Sequence, residues 1–313
     1  MKIFRLFCFL PSLGISISNR DASKGHEVIE PYSDHKLGAS FRNLRSMRIP
    51  EISPSDWMGF EEKLVQSSYS RHTMSESIQP AAAYIESQFQ LAGLSVSRES
   101  FELPSGGMGS NIIGRLVGSS AETILLGAHY DDLPEIGAAP GADDNASGIA
   151  SLLSVAQALT DFKPHKNIVF VAFSGEEQGM IGSGHFAKTI APSMNIISAI
   201  IMDQNGNPGS TRGIILESLG NSSKNQRIID TLANSMDIAL NRAVVNYNGF
   251  GSDHVPLSHA GIPAVLVIER ENMEFAKKYG HTSRDDLSNI NPSFGAGIAN
   301  TVLEAVVRLA MAD

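Results

Sequence analysis

The segment "NIVFVAFSGEE", residues 167–177, carries an unbroken apolar run from Ile168 to Phe173 and then two adjacent glutamates, Glu176 and Glu177. The run does not alternate apolar with polar, and it is too short for a core helix. A run of this kind, rich in β-branched and aromatic residues, fits a strand buried on both faces, as in a parallel sheet covered by helices. Three more segments repeat the pattern: "TILLGAHYDD" (123–132), "SAIIMDQNG" (198–206) and "PAVLVIER" (263–270). Helix-like periodicity lies around and between them, as in Ile149 to Leu159. Strands alternating with helices predict an α/β fold with a mostly parallel twisted central sheet and helices on both faces.

Outward from these strands the chain is less regular. Its 313 residues suffice for one large core or two small ones. The formal net charge of −9 and the lack of a basic run argue against a nucleic-acid or anionic-membrane surface. Cys8 is the single cysteine, which excludes an intrachain disulfide and cysteine-rich zinc modules. Lys2 and Arg5 precede an apolar stretch, Leu6 to Ile17, that ends near Ser16-Ile17-Ser18. This reads as an export signal over residues 1–18, implying a periplasmic or secreted protein with no stable membrane anchor after cleavage. Without such a signal the chain would be cytoplasmic. Residues 19–54 are polar and read as an arm or pro-segment. The main domain then runs over 55–313, opening with helices around Phe60, Leu64 and Val65 and over Ser77 to Leu91.

The first three apolar runs end in acids or histidine. In an open α/β sheet ligands bind beyond the carboxyl ends of the strands. His129, Asp131, Glu176, Glu177 and Asp203 can therefore reach one edge of one sheet. A cluster of buried anions needs a cation to offset its repulsion and desolvation. In "PGADDNASGIA" (140–150), Asp143, Asp144 and Asn145 precede a helix. One of them would serve as an N-cap, and the surplus suits a fixed carboxylate ligand equally well. In "YGHTSRDDL" (279–287), His281 is either a surface residue beside a helix cap or the imidazole that the acids want as a partner. Zinc takes His nitrogen and carboxylate oxygen at about 2.0–2.2 Å. A two-metal site, with ions about 3.5–4 Å apart, needs a ligand shared between them.

In their order, His-x-Asp after a strand, Gly-Ala-Asp-Asp-Asn-x-Ser-Gly, Glu-Glu, Met-Asp, Ser-Asp-His and a closing His-Thr make the sequence similar to the co-catalytic di-zinc aminopeptidases of the bacterial leucyl aminopeptidase type. The likeness spans most of the chain from about residue 65 and implies a three-layer zinc-exopeptidase fold acting on peptides with a free N-terminus. Carried over position by position, it implies that His129 and Asp203 hold one zinc ion, that Glu177 and His281 hold the other, and that Asp143 bridges them. Asp131 then orients His129, as carboxylates behind metal-ligating histidines do. Glu176 is implied as the general base, since neighbours on an extended chain point to opposite sides and need not share a task. The resemblance also implies a cis peptide between Asp143 and Asp144. Asp253, in Ser252-Asp253-His254, is placed at the rim of the site or behind its ligands.

One position departs from the pattern. Some relatives carry a tyrosine three residues before Ser-Asp-His, where this chain has Gly249; Tyr247 or a backbone N–H would have to stabilise the oxyanion instead. Three other readings suit parts of the same order. Glutaminyl cyclases share the fold but are single-zinc transferases. Related carboxypeptidases use cationic residues for the substrate carboxylate, and no such cluster stands near these motifs in the sequence. An inactive binding domain would be expected to lack Glu176 or a ligand. The full His-x-Asp motif favours the peptidase.

Overall fold

The computed structural model describes residues 26–29, 50–104, 106–134, 137–249 and 251–312. The export segment expected at 1–18, and Cys8 within it, lie outside the described residues. In chain order the elements are β1 (His26–Ile29), α1 (Pro54–Ser67), α2 (Gln79–Leu91), β2 (Ser95–Glu102), β3 (Met108–Leu116), β4 (Glu122–His129) and α3 (Ser147–Ala158). There follow β5 (Asn167–Phe173), α4 (Ile181–Thr189), β6 (Asn195–Asp203), β7 (Gly213–Ser218), α5 (Ser223–Ala233) and β8 (Arg242–Asn246). The chain closes with α6 (His254–His259), β9 (Ala264–Glu269), α7 (Asn272–Lys278) and α8 (Pro292–Met311).

The strands form one sheet in the order β1-β8-β7-β9-β6-β4-β5-β3-β2. The four apolar runs become its central block, β5-β4-β6-β9, and pair in parallel. Beyond them β3 joins β5, and β7 joins β9, antiparallel. The expectation of a mostly parallel sheet thus holds for the centre, while the sheet as a whole is mixed. Part of the predicted polar arm also has a structural place, because β1 pairs antiparallel with β8 at the sheet edge.

Successive residues of a strand face opposite sides, and the two layers of core follow from that. Ile124, Leu126 and Ala128 of β4 face the layer built by α1, α2, α3, α5 and α8. Leu125 of the same strand, with Val169, Val171, Phe173 and Ile201, faces Phe186 of α4 and Leu257 of α6. Each large apolar side chain fully buried this way contributes about 1.5–3 kcal/mol. Among the described residues only α8 is long and apolar enough to cross a membrane, and most of it is buried in the first layer.

Helix boundaries follow local chemistry. Ser53 caps α1 by accepting from the Asp56 N–H at 3.1 Å, with Pro54 at the first helical position. Asn291 and Pro292 repeat the device on α8. Trp57 of α1 is fully buried, and its Nε1 donates to Ser151 Oγ of α3 at 2.9 Å. The indole packs onto Gly295 of α8 so closely that an added Cβ would lie 2.3 Å from the ring.

The Gly295→Ala variant tests which effect governs this contact. Ala is favoured over Gly in a helix by about 1 kcal/mol, whereas overpacking a rigid buried ring costs about 1–3 kcal/mol. The clash should win, and the urea midpoint should fall. A raised midpoint would show that the three helices can separate at no cost.

Candidate metal centre

Strand β4 lies between β5 and β6, the next two strands of the parallel block, so the connections leave it in opposite directions. A crevice opens beyond the carboxyl ends at such a point. His129 ends β4 and Asp203 ends β6. Glu176 and Glu177 follow β5 after Ser174 and Gly175, and Asp144 stands in the irregular turn before α3. His281 arrives from the segment after α7, with a left-handed backbone (φ 56°). A non-glycine residue in that region is strained, and such strain gathers at functional sites.

These side chains form two groups with one member in common. His129 Nε2 lies 3.4 Å from Asp203 Oδ1 and 3.4 Å from Asp144 Oδ1. His281 Nε2 lies 3.0 Å from Glu177 Oε2 and 3.8 Å from Asp144 Oδ2. Each of the two groups brings its ligand atoms within 4.8 Å of one another. Asp144 therefore presents one oxygen to each group, and Gln204 Nε2 donates to its Oδ2 at 3.0 Å. The 3.4 Å separations are long for hydrogen bonds. They match the edge of a tetrahedron about 2.05 Å in radius, the spacing of N and O ligands around zinc, which is about 3.3–3.4 Å. Asp203 Oδ1 and Glu177 Oε1 are buried with no hydrogen-bond partner. The donor set fits zinc by type, number and spacing.

The shared residue differs from the expectation from sequence. Asp143 is not at the junction of the groups. Its Oδ1 accepts from the Gly206 N–H at 2.8 Å, and its carbonyl accepts from Ser147 Oγ at 2.7 Å. Its carboxyl group faces that of Glu269, whose pKa burial, and then the charge of Asp143, raise well above the usual carboxylate range. The reason is local. Gly141 adopts a left-handed conformation (φ 53°), and Asp285 accepts the N–H groups of both Asp143 and Asp144, at 2.8 and 3.0 Å. With both amides fixed on one carboxylate, the first acid turns into the core and the second into the crevice. The cis peptide likewise falls one residue later than expected, between Asp144 and Asn145.

Asp131 acts as a hub. Its carbonyl lies 3.2 Å and its Oδ1 3.7 Å from His129 Nδ1. Its carboxylate accepts from the N–H groups of Glu176 and Glu177, at 3.3 and 3.4 Å, and from Thr73 Oγ1 at 2.9 Å. One side chain thereby fixes an imidazole and the turn that carries both glutamates. Glu176 Oε2 lies 4.0 Å from His129 Nε2, beside the first group and outside both. Ser252 Oγ donates to Asp203 Oδ2 at 2.8 Å, and Asp253 is buried with both oxygens unpartnered. Tyr247 is not directed to the crevice through its hydroxyl, which donates to Gln226 on α5. At Gly249 an added Cβ would lie 2.5 Å from Cβ of Glu217, so that packing leaves no room for the relatives' tyrosine.

Three contributors escaped the reading of the sequence. Thr73 and Asp285 look like ordinary loop residues, although Asp285 lies in the same short stretch, 279–287, as His281. Arg71 is fully buried. It donates to the carbonyls of Tyr130, Pro140 and Gly141, at 2.8, 2.6 and 2.8 Å, and so ties together both ends of the loop between His129 and Asp144.

Charge compensation dominates the energetics. Burial, and then the nearby Asp144 charge, push Glu177 up to about 7. Burial likewise pushes Asp253 and Asp285 up to about 7. For His129 burial opposes the charged form, but Asp203 and Glu176 outweigh it and the pKa is raised.

A family model described as peptidase family M28 matches residues 111–306. Leucine aminopeptidase 1 of Ajellomyces capsulatus is 30% identical over 274 residues, covering 79% of this chain and 69% of that protein. Among solved structures, BSAP, a zinc aminopeptidase from Bacillus subtilis, superposes with a TM-score of 0.76 at 16% identity, over 84% of this chain and 96% of that one. A glutaminyl cyclase from Bacteroides thetaiotaomicron gives 0.69 at 18% identity, over 83% and 99%. At these identities the two structures speak to the fold alone.

The raised carboxyl groups predict a pH dependence for metal-free protein. Between ordinary carboxylate values, about 4, and about 7 the folded chain binds more protons than the unfolded one, so stability falls as pH rises through that window. In chelator, the urea midpoint should drop from about pH 5 to about pH 7.5, and zinc added at the higher pH should restore it by mass action. A midpoint independent of pH would contradict the charge balance described.

Proposed function

The chain belongs to peptidase family M28, and from that premise we propose a zinc-dependent aminopeptidase that uses two ions to release N-terminal residues from peptides. The observation that carries the two-ion reading is Asp144, with one carboxylate oxygen toward His129 and Asp203 and the other toward His281 and Glu177. His129 and Asp203 would hold one ion, Glu177 and His281 the other, and Asp144 both. Bound zinc supplies Lewis acidity, lowering the pKa of water and polarising a carbonyl.

The remaining steps belong to the chain's own side chains. Glu176 is assigned as the general base because it borders the first group without joining either one. Burial raises its pKa well above the usual carboxylate range, which suits a group that must take a proton and return it. Its Oε atom takes a proton from the attacking water and delivers it to the departing amine. Asp131 holds the amides of both glutamates and faces His129 Nδ1, keeping base and imidazole in fixed relation. Ser252 fixes Asp203 from behind. A complete donor set and a base free of it favour the peptidase over a single-zinc cyclase. Lys2, Arg5 and the apolar stretch Leu6 to Ile17 support an exported enzyme.

Substitutions separate the roles. Glu176→Gln should fold and retain zinc while losing turnover by roughly 10²–10⁴-fold, the usual share of a positioned base. Asp144→Asn should deplete both ions, as read by metal analysis, whereas Asp143→Asn should leave the metal content largely intact. Zinc loss from Glu176→Gln, or an unaltered ion count in Asp144→Asn, would reverse these assignments. Hydrolysis of leucyl-anilide should stop in chelator and resume with zinc; full activity in metal-free protein would sink the reading.

A further inference from the structure

The ends of four neighbouring strands stand in a line along one edge of the sheet, in the spatial order β6, β4, β5, β3. Asp203 ends β6, His129 ends β4, and Glu176 lies in the turn after β5. Along this line the metal ligands come first and the base follows. One strand further, β3 runs antiparallel to β5 with Ile112 level with Ala172. The same register brings Ser110 level with Ser174, and Met108 level with the turn that carries Glu176.

Met108 is a large apolar side chain, yet it is 57% exposed. By two-residue alternation it shares a face with Ser110 and Ile112, the face covered by the first core layer. The loop between α1 and α2 reaches the same place. Its Thr73 hydroxyl donates to Asp131 Oδ2 at 2.9 Å and accepts from the Gly175 N–H at 3.0 Å. The next residue, Met74, is 52% exposed. Tyr130 ties strand and loop together: its hydroxyl donates to the Ser110 carbonyl and its own carbonyl accepts from Arg71 Nε, both at 2.8 Å. Two exposed methionines are thus held by buried anchors beside the turn that carries the base. Apolar side chains exposed singly are ordinary, whereas a fixed pair beside a polar crevice marks a contact surface. The flexible thioether chain of methionine adapts to apolar partners of different shape.

The reaction gives a bound peptide its direction. The scissile carbonyl lies against the metal groups, and Glu176 delivers its proton to the departing amine. The departing amine therefore lies on the Glu176 side of the carbonyl, and the chain it belongs to leads from β4 past β5 towards β3. Neighbouring strands are about 4.8 Å apart, and an extended peptide rises about 3.3 Å per residue. One strand spacing beyond the base thus corresponds to the first one or two residues of the leaving peptide.

We propose that Met108 and Met74 form an apolar ledge that receives the side chain of the substrate's second residue, the one that follows the scissile bond. The inference rests on the aminopeptidase reading and narrows its substrate class to peptides with an apolar second residue. Seating that side chain removes apolar surface of both partners from water. Glu102 of β2 pairs with Met108 and shares its face one strand further out. Its charge, in a chain of net charge −9, opposes an acidic second residue.

The test uses the intact zinc-loaded enzyme and peptides Leu-X-Gly-Gly, with leucine, serine or aspartate at X, beside leucinamide, which has no second residue. The kcat/KM should be about tenfold higher with leucine at X than with serine, the lower end of what an apolar contact discriminates, and lowest with aspartate. The difference should lie mainly in KM, because the ledge binds ground state and transition state alike. Replacing both methionines together, Met74→Gln with Met108→Gln, should abolish the preference for leucine over serine in protein that still holds zinc. Each single variant should lower the preference in part, and the two serve in its place if the double variant loses zinc. Equal kcat/KM for leucine and serine at X in the unaltered enzyme, or a preference that persists undiminished in the variants, would overturn the proposal. Failure of the unaltered enzyme to cleave leucinamide or any of the peptides would instead refute the aminopeptidase reading, so the two failures are distinguishable.

Discussion

Mutual repulsion among carboxylates at one sheet edge is the constraint on which the rest of this structure depends. Asp131, Asp144, Glu176, Glu177, Asp203 and Asp253 converge there, with Asp143, Asp285 and Glu269 buried nearby. Water cannot screen charges so placed, and burial raises the pKa of one acid after another. Three means of relief operate together. Two imidazoles stand among the acids, backbone N–H groups are directed at Asp131, Asp143 and Asp285, and the ligand spacing is that of a bound cation. Metal binding and local stability are therefore coupled: the geometry that suits zinc is unfavourable without it.

The parallel block makes this convergence possible. Each central strand delivers its last residue to the same edge, and the apolar rows beneath are packed on both faces. The loops then need only short-range anchors. Asp131 ties β4 to the turn after β5, Arg71 ties the ends of the loop that leads to Asp144, and Asp285 ties that turn to the segment after α7. None of the three stands among the ligand atoms of either group, yet each fixes the backbone from which a ligand projects. Rigid support behind a site is what holds its geometry to the tolerance that catalysis needs.

Much of this was legible in the chain. The four apolar runs are the strands of the central parallel block, because a strand covered on both faces has an apolar pattern without alternation. His129, Glu177, Asp203 and His281 were singled out by their places after those runs, and the structure brings them together. The edge strands were less evident, since antiparallel strands with one open face have a weaker pattern. Strand β1, within a polar segment, gave no signal apart from its pairing with β8.

What the sequence alone determined is the inventory: which acids and imidazoles exist, and which strand ends carry them. Tertiary structure decided their orientation. Asp143 and Asp144 are the same residue type at adjacent positions, and no rule of spacing distinguishes them. The choice depends on the left-handed turn at Gly141 and on a carboxylate, Asp285, more than 140 residues away. Local composition sets what chemistry a chain can offer, whereas which atom faces which is fixed by hydrogen bonds and strand register between distant segments.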